Sequence, residues 1–237
     1  MAEQYDQYAN LHTFARDWRH YTQTSQPLDE STFRKDMQTN KYVRLDYFND
    51  KTGRPVLIYL LARDSRYANS SQDLKRLLAK IKEPSDVILV SRDELKTYSL
   101  KTINSFKHLR VKTYRHSTFS LIAPNGPLCY PHRILSRAES DELLNNDLCC
   151  YLTNLPKLLQ DDVQCIWIGA EVGDIVEVTM KSDIAGECIR YHVVIPSSGK
   201  IVSFRDNKPV EKKETKIPAA KAPKGKAAKG KPVKEEE

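Results

Sequence analysis

The sequence LPKLLQDDVQCIWIGAEVGDIVEVTMKSDIAGECIRYHVVI, from Leu155 to Ile195, decides the fold of the C-terminal half of this 237-residue chain. Asp162 precedes a short apolar segment that ends at Gly169, which predicts a short helix with an aspartate cap at its start and a glycine cap at its end. Gly173 and Asp174 form a turn signal before a strand. The stretch has no pattern typical of a catalytic site, so it predicts a compact docking module of helix and strand.

Two strands are expected in this module, at residues 175–179 and 188–195, because both segments are rich in β-branched residues. Ser182, Ala185 and Gly186 lie in the short connection between them. Glycine is favoured where the backbone needs a positive φ or a close approach, which predicts a tight connection at Gly186. The module therefore ends in a small β-sheet.

The first 123 residues alternate between helical and strand patterns. The predicted elements are a helix through residue 21, a helix capped by Asp29, a hairpin of strands at 42–48 and 55–61, a helix at 71–82, a strand at 86–90, a helix at 94–106 and an outer strand at 109–114. In the helix at 94–106 we expect Tyr98 and Ile103 near the buried face. This order of elements is typical of an α/β layer structure.

A break at Pro124-Asn125-Gly126-Pro127 marks the predicted domain boundary. After it, Ser136 and Glu139 have the spacing of a capping box that opens a helix. The sequence thus predicts an α/β domain at residues 1–123, a small α+β domain at residues 124–206 and a tail at residues 207–237.

The tail contains ten Lys and five Glu and no aromatic residue. Such a segment cannot bury enough apolar surface to offset the entropy of ordering it, so we expect disorder. The tail supplies +5 of the formal net charge of +7. The excess of basic residues therefore does not predict a basic groove on the folded part. Three interpretations of the tail stay open: a solvated segment, lysines attracted to nucleic acid, and a nuclear-import signal.

Membrane and secreted proteins are disfavoured by the apolar pattern. No apolar run approaches the ~20 residues of a membrane-spanning helix, and the segment MAEQYDQYANLHTFARDW is polar where a signal peptide is apolar. The five cysteines are an odd number, which favours free thiols in a reducing compartment.

The sequence lacks the common catalytic motifs, including a phosphate-binding glycine loop, GxSxG and HExxH. Cys129, His132, Cys149 and Cys150 do not form the two spaced ligand pairs of a structural zinc site. Buried thiols are the favoured interpretation, with zinc or a Cys–His nucleophile as alternatives. We expect no catalytic residue, no cofactor and no metal in this chain.

A metal-dependent nuclease is a further alternative. Asp46, Asp50, Asp64 and Asp86 lie near predicted strand ends, where the carboxylates of such enzymes can hold Mg²⁺. The sequence lacks a clear acidic-x-Lys motif on the central strand. Glu94 lies at a predicted helix start, where capping explains an acidic residue better than catalysis does.

Residues of the stretch 155–195 match a known pattern, LPRI…DP.AR..G…G.VV.I.RPSETAG….YR, in one unbroken register. The matching residues are Leu155, Pro156, Asp162, Gly169, Gly173, Val176, Ser182, Ala185, Gly186 and Tyr191. Upstream, His132 falls on the histidine of an LVPEH motif. Through these residues the chain resembles the fifth subunit of multisubunit DNA-directed RNA polymerases, a family with eukaryotic and archaeal members. The archaeal members lack the N-terminal jaw domain of the eukaryotic ones.

The chain also departs from this pattern. Val163 replaces the proline, Ile166 and His192 replace arginines, and Met180-Lys181 replaces the Arg-Pro pair. Contacts that the family makes with the largest polymerase subunit must then be remade or absent. Such departures from the family pattern are typical of subunits from large DNA viruses that have their own polymerase.

The resemblance implies a non-catalytic polymerase subunit whose C-terminal domain docks on the largest subunit. The polymerase active site, with its Mg²⁺, would lie on other chains. The α/β domain is similar to the jaw of the eukaryotic subunit, which lies near downstream duplex DNA. No membrane partner is expected. The chain would act in the nucleus if cellular, or in a cytoplasmic viral factory and in the virion if viral.

Basic side chains near the predicted outer strand are candidates to face this DNA. They are Lys107, His108, Arg110, Lys112, Arg115 and His116. They would hold the phosphate backbone without base-specific contacts. The alternative is a solvated edge strand whose charges prevent aberrant pairing. A standalone DNA-binding factor that uses the basic tail, and the nuclease, are the rival functions.

Overall fold

Two β-sheets organise the computed structural model, which describes residues 2–65, 67, 70–127, 129–182 and 186–197. The helices are α1 (Ala2–Thr13), α2 (Glu30–Thr39), α3 (Ser71–Leu78), α4 (Thr97–Ser105), α5 (Arg137–Glu142) and α6 (Val163–Ile168). The strands are β1 (Thr22–Gln23), β2 (Tyr42–Asn49), β3 (Arg54–Leu61), β4 (Asp86–Ser91), β5 (Arg110–Arg115), β6 (His132–Ile134), β7 (Lys157–Leu159), β8 (Ile175–Ser182) and β9 (Gly186–Ile195). Short π-helical turns follow α1 (Phe14–Trp18) and α5 (Leu143–Asp147).

The first sheet has the strand order β1-β2-β3-β4-β5. Strands β2 and β3 form the predicted antiparallel hairpin, in register from the pair Tyr42 and Leu61 to the pair Asn49 and Arg54. Strands β3, β4 and β5 are parallel neighbours, and α3 and α4 connect them. Strand β5 lies at the edge of the sheet, as predicted for an outer strand. The α/β layer structure of this region is confirmed.

Helices cover both faces of the first sheet. On one face, α3 contributes Leu74, Leu77 and Leu78 to a buried cluster with β3 and β4. Helix α4 packs there through Ile103. The prediction that Tyr98 lies near the buried face of this helix was wrong, because Tyr98 is 74% exposed. The helix begins only at Thr97, so Tyr98 lies in its first turn and points to solvent.

The opposite face of the first sheet packs against α1 and α2. The Asp29 carboxylate accepts a hydrogen bond from the backbone N–H of Thr32, which confirms the predicted cap of α2. Phe33 and Met37 of α2 are buried against the sheet. Leu11 and Phe14 are fully buried in the same cluster. The helix predicted through residue 21 therefore contributes to this core.

The second sheet has the strand order β6-β8-β9-β7, with β6, β8 and β9 antiparallel and β7 parallel to β9. Ser136 and Glu139 form the predicted capping box at the start of α5. Val176, Val178 and Val194 on the sheet pack against α6, whose Cys165 is fully buried. A mixed α+β module thus follows the predicted break, as the sequence indicates.

The predicted boundary falls in a 3₁₀ turn, Ala123–Asn125, between the last strand of the first sheet and the first strand of the second. The described residues on both sides of this turn belong to one compact unit. The tail at residues 207–237 and the motif residue Ala185 lie outside the described residues, so their predicted roles stay predictions.

Candidate docking site

Two of the motif residues set the ends of α6. One carboxylate oxygen of Asp162 accepts a hydrogen bond from the backbone N–H of Gln164 at 2.8 Å. Gly169 has a φ of +85°, and the N–H groups of Gly169 and Ala170 both bond to the carbonyl of Cys165. A left-handed residue at this position is the usual way to end a helix, and glycine adopts it without strain. Both predicted caps are confirmed.

Three further motif residues fix the ends of the β8–β9 hairpin. Gly173, with a φ of +100°, donates to the carbonyl of Val194 at 2.9 Å just before β8 begins. Ser182 ends β8 and pairs in register with Gly186, which begins β9 with a φ of +71°. Gly173 and Gly186 therefore lie at positions where the backbone has a positive φ, which favours glycine.

The other motif residues are divided between core and surface. Leu155 is buried, and Pro156 is exposed while its carbonyl accepts from Val193 at 2.8 Å. Tyr191 is half-buried, and burial raises the pKa of its phenol. His132 lies on β6, and its Nδ1 is 2.6 Å from the carbonyl oxygen of Tyr130. The motif therefore shapes the module more than it forms one continuous surface.

Helix α6 also joins the module to the first sheet. Trp167 is fully buried in the same cluster as Phe14 and Phe119, with ring centroids 5.6 Å and 5.9 Å away. Its indole Nε1 donates to the carbonyl of Thr118 at 3.1 Å. The core of the α/β domain is therefore completed by a side chain of the C-terminal module.

Arg19, which follows the π-helical turn Phe14–Trp18, also contacts both parts of the chain. The Arg19 guanidinium lies 5.8 Å from the ring centre of Phe14 and 5.6 Å from that of Tyr21. Its Nη1 donates to the carbonyl of Ile166 at 3.4 Å. A Cβ on Gly169 would lie 2.6 Å from this guanidinium, so the glycine permits the close approach of the two elements.

The sequence interpretation missed Trp167 and Arg19. A signal was present in α6, whose residues 165–168, Cys-Ile-Trp-Ile, are apolar on every side. A helix that is apolar all round is normally buried on more than one face. The cationic partner had no comparable signal, because Arg19 is 147 residues away from Ile166.

The substituted family positions lie in distinct environments. Val163 begins α6 and is exposed, whereas Ile166 is buried in the aromatic cluster. An arginine at position 166 would require a charged or polar partner there, since burying an unpaired charge is costly. His192 is half-buried on β9, and burial lowers its pKa.

The candidate DNA-facing residues do not form one uniform surface. Lys107, His108 and Arg110 are exposed at the start of β5. Lys112 donates to Glu171 at 3.0 Å, and Arg115 pairs with Glu94. The cap predicted for Glu94 was therefore wrong, because this carboxylate binds an arginine of the neighbouring strand.

The structure contradicts the prediction that the side chain of His116 is exposed. The side chain is 4% exposed and lies in the 3₁₀ turn His116–Phe119 that follows β5. Burial lowers its pKa below the ordinary value for histidine. The predicted contact between His116 and DNA is excluded, because the chain turns inward where the strand ends.

The acidic residues of the nuclease hypothesis are dispersed. Asp46 pairs with Arg44 and Asp64 with Lys41, while Asp50 accepts from the hydroxyl of Thr22. Asp86 lies 3.8 Å from Arg54. Within the described ranges, no group of three His, Cys, Asp or Glu side chains is placed to hold a metal ion.

The cysteines are present as free thiols. Cys165 is fully buried, and burial raises its pKa to about 12. Cys149 is exposed and has a φ of +47°. No helix in the described part of the chain is long and apolar enough to span a membrane.

Exposed apolar side chains are concentrated in the C-terminal module. Of nine large hydrophobic side chains that are exposed among the described residues, six lie at positions 130–189. These six are Tyr130, Leu148, Tyr151, Leu159, Val163 and Ile189. Exposed apolar surface of this kind is typical of interaction sites, although isolated examples occur on any protein.

Comparison with known proteins assigns residues 127–194 to the family model "RNA polymerase Rpb5, C-terminal domain". The chain is similar to DNA-directed RNA polymerase subunit Rpo5 of Archaeoglobus fulgidus, with 44% identity over 64 residues, 27% of this chain and 83% of the relative. The Methanosphaera stadtmanae subunit Rpo5 is 43% identical over 63 residues, 27% of this chain and 80% of the relative. That of Nitrosopumilus maritimus is 31% identical over 75 residues, 32% of this chain and 89% of the relative. The chain therefore belongs to the Rpb5/Rpo5 family of RNA polymerase subunits, through its C-terminal module.

Proposed function

We propose that this chain is a non-catalytic subunit of a DNA-directed RNA polymerase and that its C-terminal module docks on the largest subunit. The observation that carries the proposal is the 44% identity over 64 residues to a subunit of which those residues make up 83%. Because that relative consists of little else, its role as a subunit must depend on this module. The module is the part that the two proteins share.

The surface of the module supports a docking role. Tyr151 is 63% exposed and Ile189 is 52% exposed, although both are large hydrophobic residues. The motif residues around them hold the module in shape, so docking would rest on side chains between the motif positions. This division also explains how the chain can depart from the family at Val163 and His192 while it keeps the fold.

The α/β domain is proposed to flank downstream DNA. Lys107 and Arg110 form no ion pair with a carboxylate among the described residues, and both are exposed. They are better candidates for phosphate contacts than Lys112 and Arg115, whose charges are already paired. The contacts would position the duplex without selecting a sequence.

The test is an affinity purification of the tagged full chain from its native source at moderate salt, followed by mass spectrometry. Two very large polymerase subunits are expected in amounts near equal to that of the chain. Tyr151→Asp should reduce their recovery, because it places a charge in the proposed interface. Tyr98→Asp is the matched control, because Tyr98 is also a well-exposed tyrosine but lies on the α/β domain.

Recovery of nucleic acid alone, lost as the salt concentration rises, would contradict the proposal. That result would favour the standalone DNA-binding factor, whose affinity would come from the lysine tail. Equal recovery of the polymerase with both variants would place the docking surface elsewhere.

A further inference from the structure

A groove lies where the segment after α1, the β2–β3 turn and the C-terminal module meet. It encloses about 460 Å³, and we name it the junction groove. Arg19 and His20 line it from the segment after α1, Lys51 from the turn, and His132 from β6. A cavity of this size lies within the range of sites that accept a small molecule or a few side chains.

The charge of the junction groove is uncompensated. No carboxylate is among its lining residues, and neither Arg19 nor Lys51 forms an ion pair within the described residues. Glu171, whose pKa Arg19 helps to lower, is already bound by Lys112 at 3.0 Å. Two cationic side chains thus face one cavity without an acidic partner among the described residues.

Arg19 is held in place before any ligand binds. The rings of Phe14 and Tyr21 lie against its guanidinium, and the carbonyl of Ile166 accepts from Nη1. A guanidinium has five N–H donors, so one contact leaves others for a ligand. Because its side-chain entropy is already reduced, a bidentate contact with a carboxylate would cost less than at a mobile arginine.

The rest of the lining is largely apolar. Trp18, Ile134 and Ile168 contribute to the walls of the groove. His20 has a φ of +53° and follows the cap of the π-helical turn Phe14–Trp18, where a left-handed residue commonly ends a helix.

We propose that the junction groove binds an acidic segment of a protein partner, with a carboxylate on Arg19 and Lys51 and a neighbouring apolar side chain against Trp18. A DNA duplex fits these features less well, because its phosphates lie on a convex surface and could reach the rim but not fill the apolar part. The proposal goes beyond the proposed function, which concerns the exposed side chains of the C-terminal module.

The probe is an unlabelled octapeptide of alternating Glu and Leu, titrated into the full chain. Lysines of the tail would also attract this peptide, so the readout must report on the groove itself. The chain has two tryptophans. Trp18 lines the groove and Trp167 has no exposed surface, so a saturable change in tryptophan fluorescence is expected. Trp18→Phe should remove most of this signal.

Charge reversal provides the decisive comparison. Lys51→Glu is expected to weaken the saturable binding by about tenfold or more, a change of about 1.4 kcal/mol. Lys35→Glu, an identical change on the exposed face of α2, should leave the binding unaltered. An octapeptide of Gln and Leu should not produce the saturable signal.

Three results would overturn the proposal. They are equal binding of the Gln–Leu peptide, equal weakening by Lys51→Glu and Lys35→Glu, and a Trp18 signal that only duplex DNA produces. The last result would assign the groove to nucleic acid. Because the titration uses the free chain, its failure is distinguishable from a failure to recover polymerase subunits in the purification.

Discussion

The indole Nε1 of Trp167 donates to the carbonyl oxygen of Thr118 over 3.1 Å, and this hydrogen bond is buried. One partner belongs to the C-terminal module and the other follows the first sheet. A buried indole N–H without an acceptor would carry a desolvation cost, so the bond allows the ring to fill the aromatic cluster. The side chain of Trp167 consequently couples the two sheets.

Truncation of this side chain should destabilise the whole chain. Trp167→Ala is expected to lower the free energy of unfolding by about 3–5 kcal/mol, because it leaves a cavity and an unpaired carbonyl. Tyr98→Ala, at an exposed aromatic, should change it by no more than about 0.5 kcal/mol. Urea unfolding followed by circular dichroism measures both. Unfolding of the variant at an unchanged midpoint would contradict the shared core.

Two glycines with similar backbone angles should respond differently to alanine. Gly186→Ala is expected to cost about 1–2 kcal/mol, from the left-handed conformation alone, because no atom lies within 4 Å of its Cβ position. Gly169→Ala should cost about 1 kcal/mol more, because its Cβ would displace Arg19 from the aromatic rings. The same unfolding experiment compares them.

The extra cost at position 169 should depend on Arg19. In a double-mutant cycle with Arg19→Ala, the difference between the two glycine substitutions is expected to disappear. If the difference persists without the guanidinium, the cost at Gly169 arises from the backbone and the proposed contact is unimportant.

The local signals in the sequence predicted most of the secondary structure. Asp29, Ser136 and Gly169 each end or begin a helix where the pattern places them, because capping depends on residues close in sequence. The insertion of Trp167 and the burial of His116 depend on contacts between distant segments. The apolar character of α6 indicates that Trp167 is buried, but its partners in the first sheet leave no periodic pattern, so the contact between the two sheets and the groove could not be predicted.

Stability should decrease when the pH falls below about 6.5. Burial lowers the pKa of His116 in the folded state, so the unfolded chain binds protons first as the pH decreases. The stability that neutral His116 contributes is therefore present above the unfolded pKa and is lost from about pH 6.5 toward its lower folded pKa. The slope for one proton is at most ~1.4 kcal/mol per pH unit.

His116→Gln should make this slope shallower between pH 6.5 and 5. It should not become flat, because burial also lowers the pKa of His12 and His192. Denaturant unfolding at several pH values gives the slope for both proteins. The same slope in the variant and the parent chain would show that His116 does not contribute to it.

The basic charge at the start of β5 should affect the affinity of the assembled polymerase for downstream DNA. Arg110→Glu is expected to weaken DNA binding about equally for all sequences and to reduce the dependence on salt, as for a phosphate contact. Lys101→Glu, at an exposed lysine of α4, is the control. Filter binding over a range of salt concentrations measures both. An effect confined to one DNA sequence would contradict the backbone contact.

Deletion of residues 207–237 should leave assembly intact. The docking module ends before this tail, so co-purification with the large polymerase subunits is expected to be unchanged. The salt dependence of any nonspecific DNA binding by the free chain should decrease, because ten lysines are removed. Loss of the chain from the complex would show that the tail contributes to docking.

The shared aromatic cluster has a consequence during synthesis. Phe119 and Trp167 are separated by 48 positions in the chain, and the ribosome adds about 5–20 residues per second. For ~2–10 s, the N-terminal sheet has therefore been made while the indole that completes its core has not. During that interval Phe14 and Phe119 lack their partner, so chaperones that bind exposed aromatic surface have a defined period in which to act on the nascent chain.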